Sequence, residues 1–539
     1  MKRLTVLLTA ILTSVTLFAQ TVDVAPVTPA ARMLQSLVLS DASADRTHLR
    51  NFYGPNGFRP VWTRNSQPTP QAKAVIVLFE SAEAKGLRAA DYEAGLWTAR
   101  MSDLQNDAAQ ARFDVAMTAT LIRYAVDLRT GRVSPQTMDF AYEGQPDTIY
   151  LPELVNRVAT SADPASVIAT AEPSNPEYRR LIAALASYRR IAAAPQESMA
   201  EPLPVVAKIK VGDDYAALPQ LAAKLRLYGD LAANVNVQGT KYEGAIVDGV
   251  KNFQSRHGLD ADGVIAKGTF AQLNVPASQR VKQIEIAIER VRWTPVVEAP
   301  AIIVNIPEFR LRAIGEEELT MRVVVGKAAG HKTPVFDGDL KHVVFRPYWN
   351  VPPSIQRGEI APKLTADYAA KHNYQVVDAA GRVQDINEDT VARVRKGSLQ
   401  VRQKPGTSNA LGLVKFLFPN DNNVYLHSTP QQSLFARARR DFSHGCVRVE
   451  DPAALAEWVL RSKPEWTKEK IKGALEGKRD DMYVNLEKPI TVTITYQTVV
   501  AQTNGTVHFY EDIYGHDAKL VAALTPAAPK GAVMVAAKR

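Results

Sequence analysis

The chain has one cysteine, Cys446, among 539 residues. No intramolecular disulfide can form, so the fold must hold by non-covalent contacts. Beyond Ala19 no apolar run approaches the length of a membrane span. No Lys/Arg block of the kind that grips nucleic acid is present, and no nucleic-acid partner is expected. The 65 basic and 56 acidic side chains leave a net charge of +9. That excess suits an anionic polymer but requires none. Metal-ligand spacing is missing too. His48, His257, His331, His342, His372, His508 and His516 are scattered, so neither a metal nor any other cofactor is expected.

The N-terminus carries a targeting pattern. Lys2 and Arg3 precede an apolar run from Leu4 to Ala19. Residues 1–19 read as a secretory signal peptide, with a retained membrane anchor as the rival. Contact with the inner membrane would follow only if the segment stays uncleaved. No cysteine follows the run, which argues against a lipid anchor. The expected location is the periplasm. A lone thiol in an oxidising compartment is either buried and inert or put to use.

At this length several domains are expected, in a multidomain α+β class. Residues 27–200 read as a helical scaffold, with apolar residues at helical spacing over Arg112–Tyr124 and Tyr178–Ile191. A Pro-rich linker near Pro195–Pro204 leads to a compact unit over residues 215–276. There Val247, Val250 and Phe253 share a helix face, Gly258 can end that helix, and Asp262–Gly263 makes a turn. From about Pro300 the periodicity becomes that of strands, as in Ala301–Ile306, Thr320–Val325 and Leu399–Arg402. This mainly β domain is assigned to residues 298–465, with a charged insertion at 355–397 read as a lid. Asp451 and Pro452 predict the start of a helix. Residues 466–524 read as a C-terminal extension packing on that domain, and 525–539 as a disordered tail.

Two pieces carry chemistry: Tyr425–Leu426–His427–Ser428–Thr429–Pro430 and Asp441–Phe442–Ser443–His444–Gly445–Cys446–Val447–Arg448. A thiol is a poor nucleophile until deprotonated, and an imidazole can take its proton. His427 closes a strand, and Cys446 follows a Gly-containing turn 19 residues later. Gly445 permits an unusual backbone conformation, and amides in that turn can face an oxyanion. His444 can point toward substrate or toward packing. Arg448 can fix a substrate carboxylate or neutralise an acid such as Asp451. A zinc set of His427, His444 and Cys446 is the other way to use these groups.

The two pieces resemble the signature of the L,D-transpeptidases of the YkuD type. The likeness runs over about residues 300–524 and takes in Val304–Asn305–Ile306–Pro307, Thr333–Pro334, Asn350–Val351–Pro352–Pro353 and Asn409–Ala410–Leu411–Gly412. It is nearest the large subfamily with a helical scaffold, a peptidoglycan-binding domain and an inserted lid. The stretch with Phe253–Gln254, Gly258–Leu259 and Asp262–Gly263 resembles that small three-helix peptidoglycan-binding domain.

The resemblance implies Cys446 as nucleophile and His427 as base. It implies Ser428 as the carbonyl that orients the imidazole, where many relatives have Gly. Amides of Gly445 and Cys446 would form the oxyanion hole, with His444 in support. Arg448, Tyr425 and Ser443 would meet the substrate. The implied partners are peptidoglycan stem peptides and glycan strands, with carbapenems as inhibitors. The implied reaction releases D-Ala from a tetrapeptide stem and joins two stems by a 3→3 cross-link. A carboxypeptidase or cross-link hydrolase using the same thiol, and a non-catalytic murein-binding scaffold, are the other readings.

Overall fold

A computed structural model describes residues 26–41, 46–142, 149–198 and 201–525. The expected signal peptide and the tail from residue 526 lie outside the described residues. The chain divides into two compact units.

The first unit takes in residues 1–83, 88–128 and 148–172. Helix α1 (Asp107–Thr130) supplies buried Phe113, Met117, Leu121 and Tyr124. Phe79, Tyr92, Trp97 and Tyr124 form an aromatic cluster in which Tyr124 meets Phe79 and Tyr92 edge-to-face, the Tyr92 and Tyr124 centroids 4.9 Å apart. On the same helix the buried carboxylate of Asp114 accepts bonds from Val61 N at 2.8 Å, Trp62 N at 3.0 Å and Tyr53 Oη at 3.0 Å. These donors tie the irregular Tyr53–Trp62 stretch to α1, because a buried carboxylate without them would be costly.

The second unit takes in residues 84–87, 129–147 and 173–539. The expected helical scaffold over 27–200 is therefore divided. Strand β1 (Phe140–Ala141) pairs in parallel with Val335–Phe336 of the main sheet, and helix α2 (Pro176–Ala193) also belongs to this unit. The reason is burial. Phe140 and the α2 residues Leu181 and Leu185 hide their apolar surface within this unit, not the first.

Helices α3 (Leu218–Leu227), α4 (Ala245–Arg256) and α5 (Lys267–Leu273) surround their own apolar cluster. Gly258 takes φ +65° and Gly263 φ +73°, so both use backbone conformations that favour glycine. Gln254 is buried and structural. Its amide donates to Val264 O at 2.9 Å and accepts from Gly263 N at 2.8 Å, stapling the turn to α4. Helix α6 (Ala277–Trp293), which the sequence reading passed over, packs against α2.

The main sheet contains β2 (Ala301–Asn305), β3 (Arg310–Ile314), β4 (Leu319–Gly326) and β5 (Val335–Phe345). The insertion holds β6 (Trp349–Asn350), β7 (Tyr374–Val377), β8 (Val383–Gln384), helix α7 (Glu388–Lys396) and β9 (Gln400–Gln403). The main sheet resumes with β10 (Val414–Leu417), β11 (Leu426–His427), β12 (Asp441–Ser443) and β13 (Val447–Val449). Helix α8 (Pro452–Leu460) follows, with Asp451 accepting from Ala454 N at 2.9 Å as its cap. Strands β14 (Met482–Thr495), β15 (Val499–Ala501) and β16 (Val507–Phe509) complete the set.

Strand order in the main sheet is β10-β11-β13-β4-β3-β2-β14-β5-β1, and β10 also pairs with β5, so eight strands close on themselves. Closure removes the exposed edges of those strands. Val304, Leu311, Val323, Val343, Phe416, Leu426 and Val447 are fully buried, each contributing about 2 kcal/mol by burial.

Two expectations are corrected here. The strand at Leu399–Arg402 does not rejoin the main sheet. As β9 it pairs with β7 and β6 in the insertion's own four-stranded sheet, around Val351, Val376, Val394 and Val401. Nor does 466–524 merely pack on the mainly β domain. Strand β14 lies inside the main sheet, parallel to β2 and antiparallel to β5. Its buried Ile490, Val492 and Ile494 recur every second residue, as strand pleating requires.

Candidate active site

Three neighbouring strands build the site. Lys415 of β10 pairs with His427 of β11, and His427 pairs with Arg448 of β13. Leu426 and Val447 point into the core. Alternation therefore sends Tyr425, His427, Cys446 and Arg448 to the opposite face. Strands β11 and β13 run parallel, with Val447 N bonded to Tyr425 O at 3.1 Å. Cys446 thus faces Tyr425 and lies diagonally from His427. Such diagonal neighbours are about 7–8 Å apart at the backbone, within reach of longer side chains.

The imidazole is oriented by its own strand end. His427 Nδ1 donates to Ser428 O at 2.5 Å, leaving Nε2 as the acceptor. Burial, with the charges of Arg448 and Lys415, pushes its pKa down to about 3, although the Ser428 carbonyl opposes this. His427 is therefore neutral near pH 7. Burial pushes the Cys446 thiol up, against the pull of Tyr425, Lys415 and Arg448. The resting pair is a thiol and a neutral imidazole, the state that general-base activation needs. In this state the half-buried thiol faces Asn423 O at 3.8 Å. Among the described residues no hydrogen bond joins it to His427.

Gly412 makes room for Ser428. Gly412 has φ +61°, and a Cβ there would collide with the Ser428 side chain and the Thr429 amide nitrogen. Asn409, fully buried, shapes the preceding turn by accepting from Leu411 N at 2.7 Å.

The turn before Cys446 is held from three sides. Gly445 takes φ +119°, a conformation that favours glycine. Ser443 Oγ donates to Cys446 O at 2.5 Å and accepts from Gly445 N at 3.1 Å. Thr333 Oγ1 donates to Gly445 O at 2.7 Å and accepts from Gly326 N at 2.9 Å. Tyr514 Oη donates to Gly326 O at 2.6 Å and accepts from Thr333 N at 3.1 Å.

These contacts correct two assignments. The Gly445 amide is engaged by Ser443, so it is no free oxyanion donor in this state. Ser443 is buried and braces the turn, so it does not face substrate. The Cys446 amide is the remaining oxyanion candidate.

His444 turns away from the thiol. Its Nε2 lies 2.7 Å from Glu359 Oε1 in the insertion, and its ring packs edge-on against His331 at 4.6 Å. A zinc set with His427 and Cys446 is not assembled, and among the described residues no group of three His, Cys, Asp or Glu is placed to hold a metal ion. Arg448 Nη1 donates to Gln431 Oε1 at 2.7 Å. Among the described residues its Nε is buried without a protein partner. Asp451 is not its counter-ion, because Asp451 caps α8 and Arg322 takes Glu450.

Comparison with known families is decisive at this point. Residues 299–479 match the YkuD model, an L,D-transpeptidase catalytic domain, and residues 47–185 match the Scaffold domain. The chain carries a YkuD L,D-transpeptidase catalytic domain. A Haemophilus influenzae protein named "Putative L,D-transpeptidase" is 35% identical over 225 residues, which are 41% of this chain and 45% of that protein. The chain thus spans less than half the length of the curated relative it matches. Within the L,D-transpeptidase domain, Lys415, Thr333 and Gly412 are neighbours of the signature that sequence reasoning gave no role. Lys415 had a legible signal, since it alternates with buried Val414 and Phe416. Tyr514 lies past the matched region, and nothing in its local sequence points to the site.

Proposed function

We propose that this chain is a peptidoglycan L,D-transpeptidase with Cys446 as nucleophile and His427 as general base. One observation carries the reading: a neutral, oriented imidazole and a thiol share one sheet face on adjacent strands. The thiol first swings from Asn423 toward His427. His427 Nε2 takes the Sγ proton as sulfur attacks the carbonyl between diaminopimelate and D-Ala. The Cys446 amide faces the developing oxyanion. The C–N bond breaks, His427 returns the proton to the leaving amine, and D-Ala departs. The amine of a second stem attacks the thioester, its proton passes to His427, and the thiol is restored with a 3→3 cross-link formed.

Arg448 holds a stem carboxylate and Tyr425 walls the site. The unit over 215–276 is the peptidoglycan-binding module, held against the extension by His257, which stacks between Phe253 at 3.9 Å and Phe509 at 5.6 Å. The insertion acts as a lid, with the Glu359–His444 contact joining it to the catalytic turn. The enzyme works in the periplasm, and carbapenems acylate the same thiol.

Hydrolysis of the same thioester would make the enzyme a carboxypeptidase. Incubation with a purified tetrapeptide donor separates these outcomes. Intact mass is expected to report an acyl adduct on Cys446, and product analysis to report dimers. Tripeptides alone would establish hydrolysis. Cross-linking by a His427→Ala protein would remove the base from this mechanism.

A further inference from the structure

We propose that Lys415 is a carboxylate-recognition residue beside the thiol, taking an acidic group of the donor peptide. This rests on the transpeptidase reading and extends it to how the donor is chosen. Val414 and Phe416 point into the core, so Lys415 stands on the site face of β10. Its register partner across β11 is His427, and Arg448 stands beyond it on β13. Two cations therefore straddle the imidazole.

The ammonium is half-buried, with Nζ 5.2 Å from the Tyr425 ring centroid. Burial lowers its pKa, while Asp481 and Cys446 partly restore it. Among the described residues no acid lies within ion-pair distance of it; Asp481 acts only from farther away. A lysine placed merely for packing extends its head to water. This one lies over the ring of Tyr425, which stands one residue before the Leu426–Val447 pair and so opposite Cys446.

A half-buried cation without a counter-ion bears a desolvation cost. An arriving carboxylate offsets it, and charge-assisted hydrogen bonds are stronger than neutral ones. The donor stem offers two such groups near the scissile bond, the terminal D-Ala carboxylate and the free diaminopimelate carboxylate. Arg448 remains available for the other.

The test uses the full chain and three donors: the free tetrapeptide and two forms amidated at one or the other carboxylate. Binding is measured in a Cys446→Ala background, with and without Lys415→Met. Lys415→Met is expected to weaken binding of the free peptide about tenfold or more. It is expected to have no further effect on the one amidated donor that lacks the recognised group, which identifies the source. Lys415→Arg should restore most of the affinity. Equal weakening on all three donors, or none on the free peptide, would overturn the proposal.

Alkylation of Cys446 by neutral iodoacetamide gives a second readout in Lys415→Met alone. Because the Lys415 charge helps to hold the thiol pKa down, a modest fall in rate is expected, smaller than the loss of peptide binding. A severalfold drop with unaltered peptide binding would make Lys415 a thiol-tuning group and sink the recognition role. Failure of the transpeptidase reading is visible separately, as intact peptide binding with no acyl adduct on the wild-type thiol.

Discussion

A buried polar centre in the first unit and the catalytic centre of the second are built on opposite terms. In the first, Asp114 receives Val61 N, Trp62 N and Tyr53 Oη, while Thr118 accepts from Trp62 Nε1 at 2.8 Å. In the second, the Cys446 thiol meets a carbonyl only at 3.8 Å and has Tyr425 as its hydrogen-bonding neighbour, while among the described residues Arg448 keeps a buried Nε without a protein partner and Lys415 makes no ion pair. A satisfied buried network specifies structure. An unsatisfied one stores capacity for a ligand or a reaction. By that criterion the Asp114 centre is architecture and the Cys446 centre is chemistry.

The largest expected effect is on turnover. Cys446→Ala should lower cross-linking by about a thousandfold or more while leaving thermal stability nearly unchanged. Retained turnover, assayed by muropeptide products, would break the comparison at its reactive end. Asp114→Ala should do the converse. It strands buried donors and should cost about 3 kcal/mol in the first unit, measured by denaturant unfolding, with the alkylation rate of Cys446 unchanged. A smaller effect is expected from Tyr514→Phe. Loss of its bonds to Gly326 and Thr333 should loosen the Gly445 turn and lower kcat about tenfold with KM preserved. A rise in KM alone would assign Tyr514 to substrate binding.

The two centres should also differ in their response to pH. His427 has its folded pKa lowered to about 3. The unfolded chain therefore binds the extra proton, and stability falls as pH drops from about 6.5 toward 3. Asp114 is pushed up to about 7 by burial, against its hydrogen-bond donors. There the folded state holds the proton, and this contribution is lost as pH rises from about 4 to 7. Hydrogen exchange resolved by unit should report opposite slopes. His427→Gln and Asp114→Asn should each flatten only its own slope.

What was legible in the sequence was contiguous. The strands at Ala301–Ile306 and Thr320–Val325, the cap at Asp451 and the helix around Val247–Phe253 each carry a local pattern with a local cause. The two signature pieces were readable for the same reason, since residues two apart on a strand share a face. The Gly445 amide was misassigned because only the folded turn brings Ser443 Oγ against it. Helical spacing does not say which core a helix joins, so the sequence left open that α2 packs in the second unit. The extension reads as packing on the sheet rather than entering it, because a strand pattern does not say which strands flank β14. Tyr514, Thr333 and Gly445 lie far apart in sequence, and no periodicity links them.

The sequence by itself determined the element types, the glycines at Gly258 and Gly445, and the chemistry available: one thiol, one histidine at a strand end, one arginine beyond. Tertiary structure alone decided that β10, β11 and β13 lie side by side, which sets Lys415 and Arg448 on either side of His427 and depresses its basicity. The physical reason is range. Backbone preference acts over a few residues, whereas burial and charge act through space between strands that the chain joins only by folding.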